Sequence, residues 1–453
     1  MSRPLTIAAR VTLAAAALVL AATRTEAADS ASALASSVKG EFLHAWQGYR
    51  AHAWGHDELR PVSGASRDWY GAPFYMTAVD ALDTMILMGL SAEADSAREF
   101  IAGHLSFDRD VYVKNFEFTI RFLGGLLSSY QLTGDRRLLD LAADLGRRLM
   151  PAFGSPTGLP YVMVNLRTGA VRGTVTNPAE AGTLLLEFGT LARLTGDARF
   201  YDAAKKSLVE VFRRRSAIGL VGSSIDVETG AWVETESHVS GGIDSYYEYL
   251  IKCWRLFGDA DCRRMWESSI GPVNAWLADT SGGGLWYGHA DMTTGKRTGT
   301  LYGALDAFFP AVLCLAGDTG RASRLEASCF RMWNRYGIEP ELLDYRTMTV
   351  VDSVYDLRPE IIESAYYLYH FTHDDRYRRM GEVFFDGLKR YCRTPYGYAA
   401  LSSVRTKRKA DAMESYALAE TLKYLYLLFA PAETLDFDTV TFNTEAHPLR
   451  RTW

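Results

Sequence analysis

Three carboxylic acids stand at predicted helix starts in separate stretches of the chain: Glu117 in NFEFTIR, Asp244 in GGIDSYYEYL and Glu360 in LRPEIIES. One acid at a helix start is common, because the helix dipole favours negative charge there. Three acids at equivalent points of successive units, with Arg121 and Arg358 near two of them, favour a pocket lined by carboxylates. Two carboxyl groups opposed across a cavity are what glycoside hydrolysis needs, one as acid and one as base or nucleophile.

A repeat of about 60 residues positions these acids. The sequences LTGD, LTGD, LFGD and LAGD end at Asp135, Asp197, Asp259 and Asp318, and FTHDD places Asp374 at the same point. Periods of this length indicate arrays of one supersecondary unit. Each glycine follows an apolar helical stretch and is predicted to end it, and each aspartate is predicted to cap the next helix. Each unit is therefore a helical hairpin.

Weaker units at AVDALDTMILMGLSAEADSAREFIAGH and ESYALAETLKYLYLLFAPAETLDF bring the count to about seven hairpins. Gly-rich, strand-like connections join them, and none has the length or low complexity of a domain boundary. Seven hairpins can close as one ring in which each covers the apolar faces of its neighbours. We therefore predict a single all-α domain whose site is built by the connections on one rim.

The composition of the 453 residues, 48% hydrophobic with a formal net charge of −5, excludes a basic nucleic-acid-binding surface. Residues 1–27 resemble a signal peptide, with two arginines before an apolar run from Val11 to Ala22 and small residues up to Ala27. The run is too short for a membrane span, although an uncleaved anchor is the alternative. We predict a mature protein of residues 28–453 that a bacterial cell exports to its periplasm or secretes.

Five cysteines are too few for a disulfide scaffold, and the absence of CxxC argues against structural zinc. Cys253 and Cys262 bracket one turn, and Cys314 and Cys329 bracket another; Cys392 stands apart. Either pair could form a disulfide, and buried free thiols are the alternative.

Seven motifs closely resemble those of glycoside hydrolase family 47, the class I α-1,2-mannosidases, and they occur in the family's order from near Asp57 to the C-terminus. They are VDALDTMILMGL, FEFTIRFLGGLLSSYQLTGD, AEAGTLLLEFGTLARLTGD, DSYYEYLIKCWRLFGD, LRPEIIESAYYLYHFTHDDRYR, ESYALAETLKYLYLLF and FNTEAHPL. The resemblance implies a single (α/α)7 barrel with a C-terminal β-hairpin that plugs one end. It also implies removal of terminal α-1,2-linked mannose with inversion, and a requirement for Ca²⁺.

The same motifs imply roles for individual residues. Glu360 corresponds to the general base and Glu117 to the general acid, while Asp244 lies close to the acid's position, so either Glu117 or Asp244 delivers the proton. Thr444 of FNTEAHPL corresponds to a calcium ligand that uses its carbonyl and hydroxyl oxygens, and Ca²⁺ takes about six to eight oxygen ligands. The positions expected to line the sugar and water sites are Arg121, Glu180, Arg358, Glu363, Glu414, Tyr416, Glu420 and Glu445.

The chain departs from the family pattern at two places. The usual HLxCF motif is ALDAFF here, so Ala304 and Ala307 replace its histidine and cysteine, and Cys329 lacks its usual disulfide partner. Gly242 stands where the endoplasmic reticulum subclass carries an arginine. A small residue there predicts a broader range of cleaved branches.

Two rival interpretations remain open to test. One is a lectin-like member of the same fold that binds mannose glycans without cleaving them, although all three acids are present. The other is a helical-toroid glycosidase acting on glucosides, although such enzymes typically have six hairpins and lack the terminal Thr hairpin. We expect an α-1,2-mannose-containing glycan as substrate, no nucleic acid partner and a monomer.

Overall fold

Seven pairs of helices are arranged in a ring in the computed structural model, which describes residues 30–453. The predicted signal peptide, residues 1–27, lies outside the described residues. Six pairs are consecutive hairpins, and each inner helix contacts the next around the ring. The (α/α)7 barrel is therefore confirmed. Within residues 30–453, no helix combines the length and apolarity needed to cross a bilayer.

The helices differ in burial according to their layer. Inner helices are buried around most of their circumference, whereas outer helices keep one exposed face. The helices are α1 (30–52), α2 (Met76–Asp80), α3 (Leu82–Leu87), α4 (Ser91–His104), α5 (Asn115–Glu117), α6 (Gly124–Thr133), α7 (Arg136–Leu149), α8 (Pro178–Gly182), α9 (Leu185–Thr195), α10 (Ala198–Arg213), α11 (Asp244–Phe257), α12 (Ala260–Trp276), α13 (Phe309–Leu315), α14 (Thr319–Asn334), α15 (Glu360–Thr372), α16 (Arg376–Tyr391) and α17 (Leu422–Phe429). Two π-helical turns, Phe118–Leu123 and Ala417–Thr421, lead into α6 and α17.

The Gly-Asp repeat forms the turn from inner to outer helix in four of the pairs, as predicted, whereas His373 takes the left-handed position after α15. Gly134, for example, ends α6 with φ of 74°, in the left-handed region that glycine adopts without strain. The carboxylate of Asp135 then accepts a hydrogen bond from the backbone N–H of Arg137 and caps α7. The same arrangement recurs before α10, α12 and α14.

The seventh pair joins the two ends of the chain. We expected residues near 415–436 to form the last hairpin by themselves, and this was wrong. Between α17 and strand β19 the chain forms no outer helix but two short 3₁₀ turns, Ala432–Thr434 and Phe437–Thr439. The outer partner is instead α1, whose Ala45 lies beside Leu418 and Leu422 around a small apolar cavity. The N-terminal helix therefore closes the ring.

Short antiparallel sheets form the connections on the rim, in agreement with the strand-like composition of those segments. The strands are β1 (Glu58–Arg60), β2 (Ala65–Arg67), β3 (Tyr112–Lys114), β4 (Met163–Asn165), β5 (Val171–Arg172), β6 (Val175–Thr176), β7 (Ser224–Asp226), β8 (Trp232–Glu234), β9 (Glu236–Ser237), β10 (Ala278–Asp279), β11 (Trp286–Tyr287), β12 (His289–Asp291), β13 (Arg297–Gly299), β14 (Leu301–Gly303), β15 (Leu342–Asp344), β16 (Thr349–Asp352), β17 (Leu401–Ser403), β18 (Arg408–Lys409), β19 (Val440–Phe442) and β20 (Pro448–Arg450).

A C-terminal hairpin reaches into the ring from the end of the chain. Strand β19 pairs with β20, from Val440 opposite Arg450 to Phe442 opposite Pro448. The loop of residues 443–447 between them, here called the tail loop, is mostly buried. It contacts inner helices directly, because the Lys423 ammonium donates to the carbonyl of Ala446 over 2.6 Å.

One of the two cysteine pairs left open by the sequence is a disulfide. Cys253 on α11 is bonded to Cys262 on α12, so the bridge joins an inner helix to its outer partner. Cys314, Cys329 and Cys392 are buried free thiols. Ala307 stands where the family pattern has a cysteine, and the Cys329 thiol lies 3.3 Å from the Tyr302 hydroxyl.

Two glycines of α1 test how closely this helix closes the ring. A Cβ on Gly48 would lie 1.6 Å from the backbone carbonyl oxygen of Tyr396, whereas a Cβ on Gly40 would meet no atom within 4 Å. We expect Gly48→Ala to lower the free energy of unfolding by about 1–3 kcal/mol, because the helix must move away. Gly40→Ala should raise it by about 0.5–1 kcal/mol, since alanine favours a helix. Urea denaturation measures both, and shifts of the same sign would contradict this packing.

Candidate active site

A cavity of about 260 Å³ lies where the inner helices begin. Glu117, Asp244 and Glu360, the three acids singled out in the sequence, all line it. The other predicted site residues in its lining are Arg121, Glu180, Arg358, Glu363, Tyr416, Glu420, Thr444 and Glu445. Elements from across the whole chain therefore converge on one space.

Helix starts position the three acids. Asp244 is the first residue of α11 and Glu360 the first of α15, where the helix dipole favours a carboxylate. The Asp244 carboxylate also accepts a hydrogen bond of 2.7 Å from the backbone N–H of Ser245. Glu117 ends the single turn of α5 and is followed at once by the first π-helical turn.

Both π-helical turns carry cavity residues. Arg121 lies in the first turn and Glu420 in the second. A π-helical turn inserts an extra residue into the helix, and such turns occur frequently at functional sites. The Arg121 guanidinium donates to Glu117 over 2.9 Å, so this turn also fixes the acid that precedes it.

Negative groups outnumber positive ones in the cavity lining. Eight carboxylates line it, and the cations among the lining residues are the guanidiniums of Arg121 and Arg358. Arg121 is buried and forms an ion pair with Glu445 as well as with Glu117. Arg358 donates two hydrogen bonds, of 2.7 and 3.1 Å, to Glu341. Lys114 and Lys252, from outside the lining, pair with Glu180 and Glu248, whereas Asp244, Glu360 and Glu420 form no ion pair among the described residues.

This crowding disfavours the ionised carboxylates. Burial raises the pKa of Asp244 to about 7 and that of Glu360 to about 8, the latter despite the charge of Arg358. Burial also raises the pKa of Glu363 and Glu445 to about 8. Removing a charge from water disfavours it unless a partner compensates, so several of these groups hold a proton near neutral pH.

Glu414 differs from the other predicted residues because it does not line the cavity. Its carboxylate pairs instead with Arg67 over 3.1 Å, beside the buried Glu58. The pair lies where the loop before Ser415 meets strand β1. Gly242 does line the cavity, and a Cβ added there would come no closer than 3.8 Å to Asn177, so the space predicted beside this residue exists.

Several polar residues around the cavity were missed in the sequence. Glu248 lines it and pairs with the buried Lys252, which lies 3.8 Å from Glu363. The sequence does indicate this pair, because Glu248 and Lys252 stand four residues apart in YYEYLIK and so lie on one face of a helix. Asp80 and Asp83 are buried and pair with His447 of the tail loop, and neither was singled out in the sequence.

These pKa shifts make stability depend on pH. A carboxyl whose pKa is raised on folding binds more protons in the native state, so the free energy of unfolding falls as pH rises towards the folded pKa. In calcium-free protein we expect a decrease of about 1 kcal/mol or more between pH 6.5 and 8, from Asp244, Glu360, Glu363 and Glu445 together. The range starts at pH 6.5 because burial lowers the pKa of His238 to about 4. Below pH 6.5 this histidine makes the free energy of unfolding rise with pH, which opposes the effect of the carboxyls. Urea titrations with a chelator present measure it, and stability that is constant or rises would contradict these assignments.

The comparisons with known proteins agree with the geometry. The family model of glycosyl hydrolase family 47 matches residues 41–451. Alpha-mannosidase I MNS5 of Arabidopsis thaliana is 37% identical over 444 residues, which cover 91% of this chain and 76% of the relative. The human endoplasmic reticulum mannosyl-oligosaccharide 1,2-alpha-mannosidase is 38% identical over 441 residues, covering 90% of this chain and 62% of the human protein.

A solved structure agrees over nearly the whole fold. The alpha-1,2-mannosidase from Trichoderma reesei superimposes with a TM-score of 0.85 at 27% identity, covering 92% of this chain and 99% of the fungal chain. The similarity therefore includes the helix pairs, the rim and the segments that line the cavity. On these grounds the chain belongs to glycosyl hydrolase family 47, a family of enzymes with α-1,2-mannosidases among its members.

Proposed function

We propose that this enzyme is an inverting, calcium-dependent exo-α-1,2-mannosidase that removes terminal mannose from oligosaccharides or N-glycans. The observation that carries the proposal is the convergence of Glu117, Asp244 and Glu360 on one cavity of a family 47 barrel. The relatives named above act, by their names, on α-1,2-linked mannose. The intact set of acids disfavours a role limited to glycan binding.

The tail loop supports an exo mode of attack. Thr444 and Glu445 belong to the lining of the cavity, and their loop is mostly buried. We propose that this loop closes the end of the cavity away from the rim, so that a sugar entering from the rim cannot extend beyond it. Such an arrangement would suit the last residue of a glycan branch, with the rest of the glycan directed out towards the rim.

The proposed reaction needs one base and one acid. Glu360, at the start of α15, takes a proton from the attacking water, and its other oxygen is buried without a hydrogen-bond partner among the described residues. Either Glu117 or Asp244 gives a proton to the leaving oxygen. In the calcium-free protein burial raises the pKa of Asp244 to about 7 and that of Glu360 to about 8, so these values do not choose the acid, and Glu360 acts as a base once a bound cation favours its ionised form. Direct attack by water inverts the anomeric centre.

The residues around Thr444 suit a calcium ion. Ca²⁺ is a hard cation that prefers oxygen, and Thr444 offers a carbonyl and a hydroxyl beside an excess of carboxylates. Glu187, close to the tail loop, has one buried oxygen without a partner in residues 30–453. When bound, the ion would supply positive charge and bind sugar hydroxyls. The chain itself holds Thr444 in place through its N–H, which donates to the Tyr249 hydroxyl over 3.3 Å.

Export is part of the proposal. Residues 1–27 have the sequence of a signal peptide, and the Cys253–Cys262 disulfide is typical of oxidising compartments. We propose that the mature enzyme works outside the bacterial cytoplasm, as a monomer. The space beside Gly242 further supports action on more than one branch of a high-mannose glycan.

Hydrolysis of α-1,2-mannobiose tests the function. We expect mannose to be released and the first-formed product to be the β-anomer, which proton NMR distinguishes during the first minutes. A calcium chelator should stop release, and added Ca²⁺ should restore it. Binding of the disaccharide without release would support the lectin-like alternative. A first product in the α-configuration would refute inversion, and full activity in the chelator would refute the calcium requirement.

Replacing the proposed base tests the role of Glu360. Glu360→Gln keeps the shape of the side chain but removes the proton acceptor, so kcat should fall by about 10²–10⁴-fold while mannose still binds. A matched control is Glu326→Gln on α14, because Glu326 is also buried with a pKa that burial raises, but it does not line the cavity. The control should leave kcat within twofold. Near-normal turnover by Glu360→Gln would assign the base to another carboxylate.

A further inference from the structure

His447 is buried in the tail loop between two carboxylates of another segment. Its Nδ1 lies 2.7 Å from Asp83 and its Nε2 lies 3.3 Å from Asp80. A ring that faces a carboxylate with each nitrogen must donate from both, so it is an imidazolium. Burial alone would lower the pKa of His447, but the charge of Asp83 and the hydrogen bonds to both aspartates raise it to about 9.

Two glycines leave room for the His447 ring against helix α6. The motif FLGGLL places Gly124 and Gly125 at the start of α6, directly beneath the ring. A Cβ on Gly124 would lie 3.0 Å from the His447 ring, and one on Gly125 would lie 3.2 Å from it. The paired glycines therefore let the ring approach α6 closely.

The ring is connected to the cavity through Asp80. The second oxygen of Asp80 lies 3.5 Å from the Arg121 guanidinium, which in turn pairs with Glu117. Positive and negative groups thus alternate from His447 through Asp80 and Arg121 to Glu117. A change in the position of Asp80 would move the guanidinium that holds the proposed acid.

The ring is connected to the tail loop through Asn443. The Asn443 side-chain oxygen accepts hydrogen bonds from the N–H groups of Glu445 and His447, over 3.0 and 2.8 Å. The Asn443 amide group donates to the carbonyl of Ile120, in the first π-helical turn, over 2.9 Å. Asn443 and His447 therefore hold the two ends of the segment that carries Thr444 and Glu445, each through its own hydrogen bonds.

We propose that His447 is a positioning residue for the reaction, which holds Arg121 through Asp80 and holds Thr444 and Glu445 through the fold of the tail loop. The inference rests on the proposed function, since it concerns the calcium ligand and the groups that act on the sugar. Asp83 serves as the anchor of His447, and it is itself held by the Lys423 ammonium at 2.8 Å and the Ser128 hydroxyl at 2.8 Å.

The test is His447→Gln, which retains one amide donor and removes the charge. Titration of calcium-free protein with CaCl₂ in a calorimeter should show at least a tenfold weaker Kd. The kcat on α-1,2-mannobiose should fall by about 10²-fold, because a displacement of about 1 Å in a reacting site has an effect of that size. Asp83→Asn, which removes the negative charge that His447 and Lys423 share, should change both quantities in the same direction. It decides the question if His447→Gln does not fold.

A matched control separates positioning from general stability. Lys205→Met removes the cation of another ion pair, with Asp259, at the turn before α12 and away from the cavity. It should lower the melting temperature but leave the calcium Kd and kcat within twofold. If the His447 and Asp83 variants behave like this control while the wild type is active and binds calcium, the positioning role is refuted. If the wild type itself neither cleaves the disaccharide nor binds calcium, the proposed function has failed instead.

Discussion

Arg121 is one guanidinium shared by three carboxylates, and the barrel around the cavity depends on that sharing. Glu117 reaches it from a helix start, Asp80 from α2 and Glu445 from the tail loop. Removing one partner of a buried charge group leaves the others uncompensated, at a cost of about 3–5 kcal/mol. The stability of each of these three segments in its place therefore depends on the other two. The ion pairs that hold the ring together are for this reason the same ones that position the side chains of the cavity.

The same shortage of positive charge sets the chemistry available to the cavity. Burial raises the pKa of five of the eight carboxylates in its lining, which are Asp244, Glu360, Glu363, Glu420 and Glu445. Hydrolysis of a glycoside uses such differences between carboxyls, because one carboxyl must hold a proton while another must accept one. A divalent cation would relieve the remaining repulsion. The fold and the proposed reaction therefore both require carboxyl groups that hold a proton within the cavity.

The sequence predicted the parts of the fold that are local and repeated. The Gly-Asp turns were found because a left-handed glycine and a capping aspartate each leave a mark at fixed spacing. The pairing of α1 with α17 could not be found in this way, since their contact joins residues nearly 380 positions apart, as Ala45 and Leu422 show. A repeated turn at the rim was also missed. Asn165, Asp226, Asp291 and Asp344 each accept hydrogen bonds from backbone N–H groups two and three residues ahead.

The site was predicted in a similarly uneven way. The acids at helix starts could be proposed from their positions alone, and the family resemblance added Thr444, Glu445 and the lining residues. His447 and Lys423 had no such mark, because a histidine in a tail and a lysine in an apolar helix fit many surroundings. Their meaning appears only when Asp83 lies beside both, within 3 Å. The spacing of residues along the sequence does not reveal which oppositely charged side chains become neighbours in the fold.

The closure of the ring by its first and last helices has a consequence for biogenesis. A chain leaving the ribosome can build six hairpins in order, but this arc has an open seam until the final inner helix meets the first helix. The tail loop follows the final inner helix, so Thr444 can join the cavity only after α17 has been made. A growing chain that has not yet made the tail loop lacks Thr444 and Glu445 and cannot hold the complete cavity. A truncation between α17 and β19 would remove these residues from the site while leaving α1 and α17 able to close the ring.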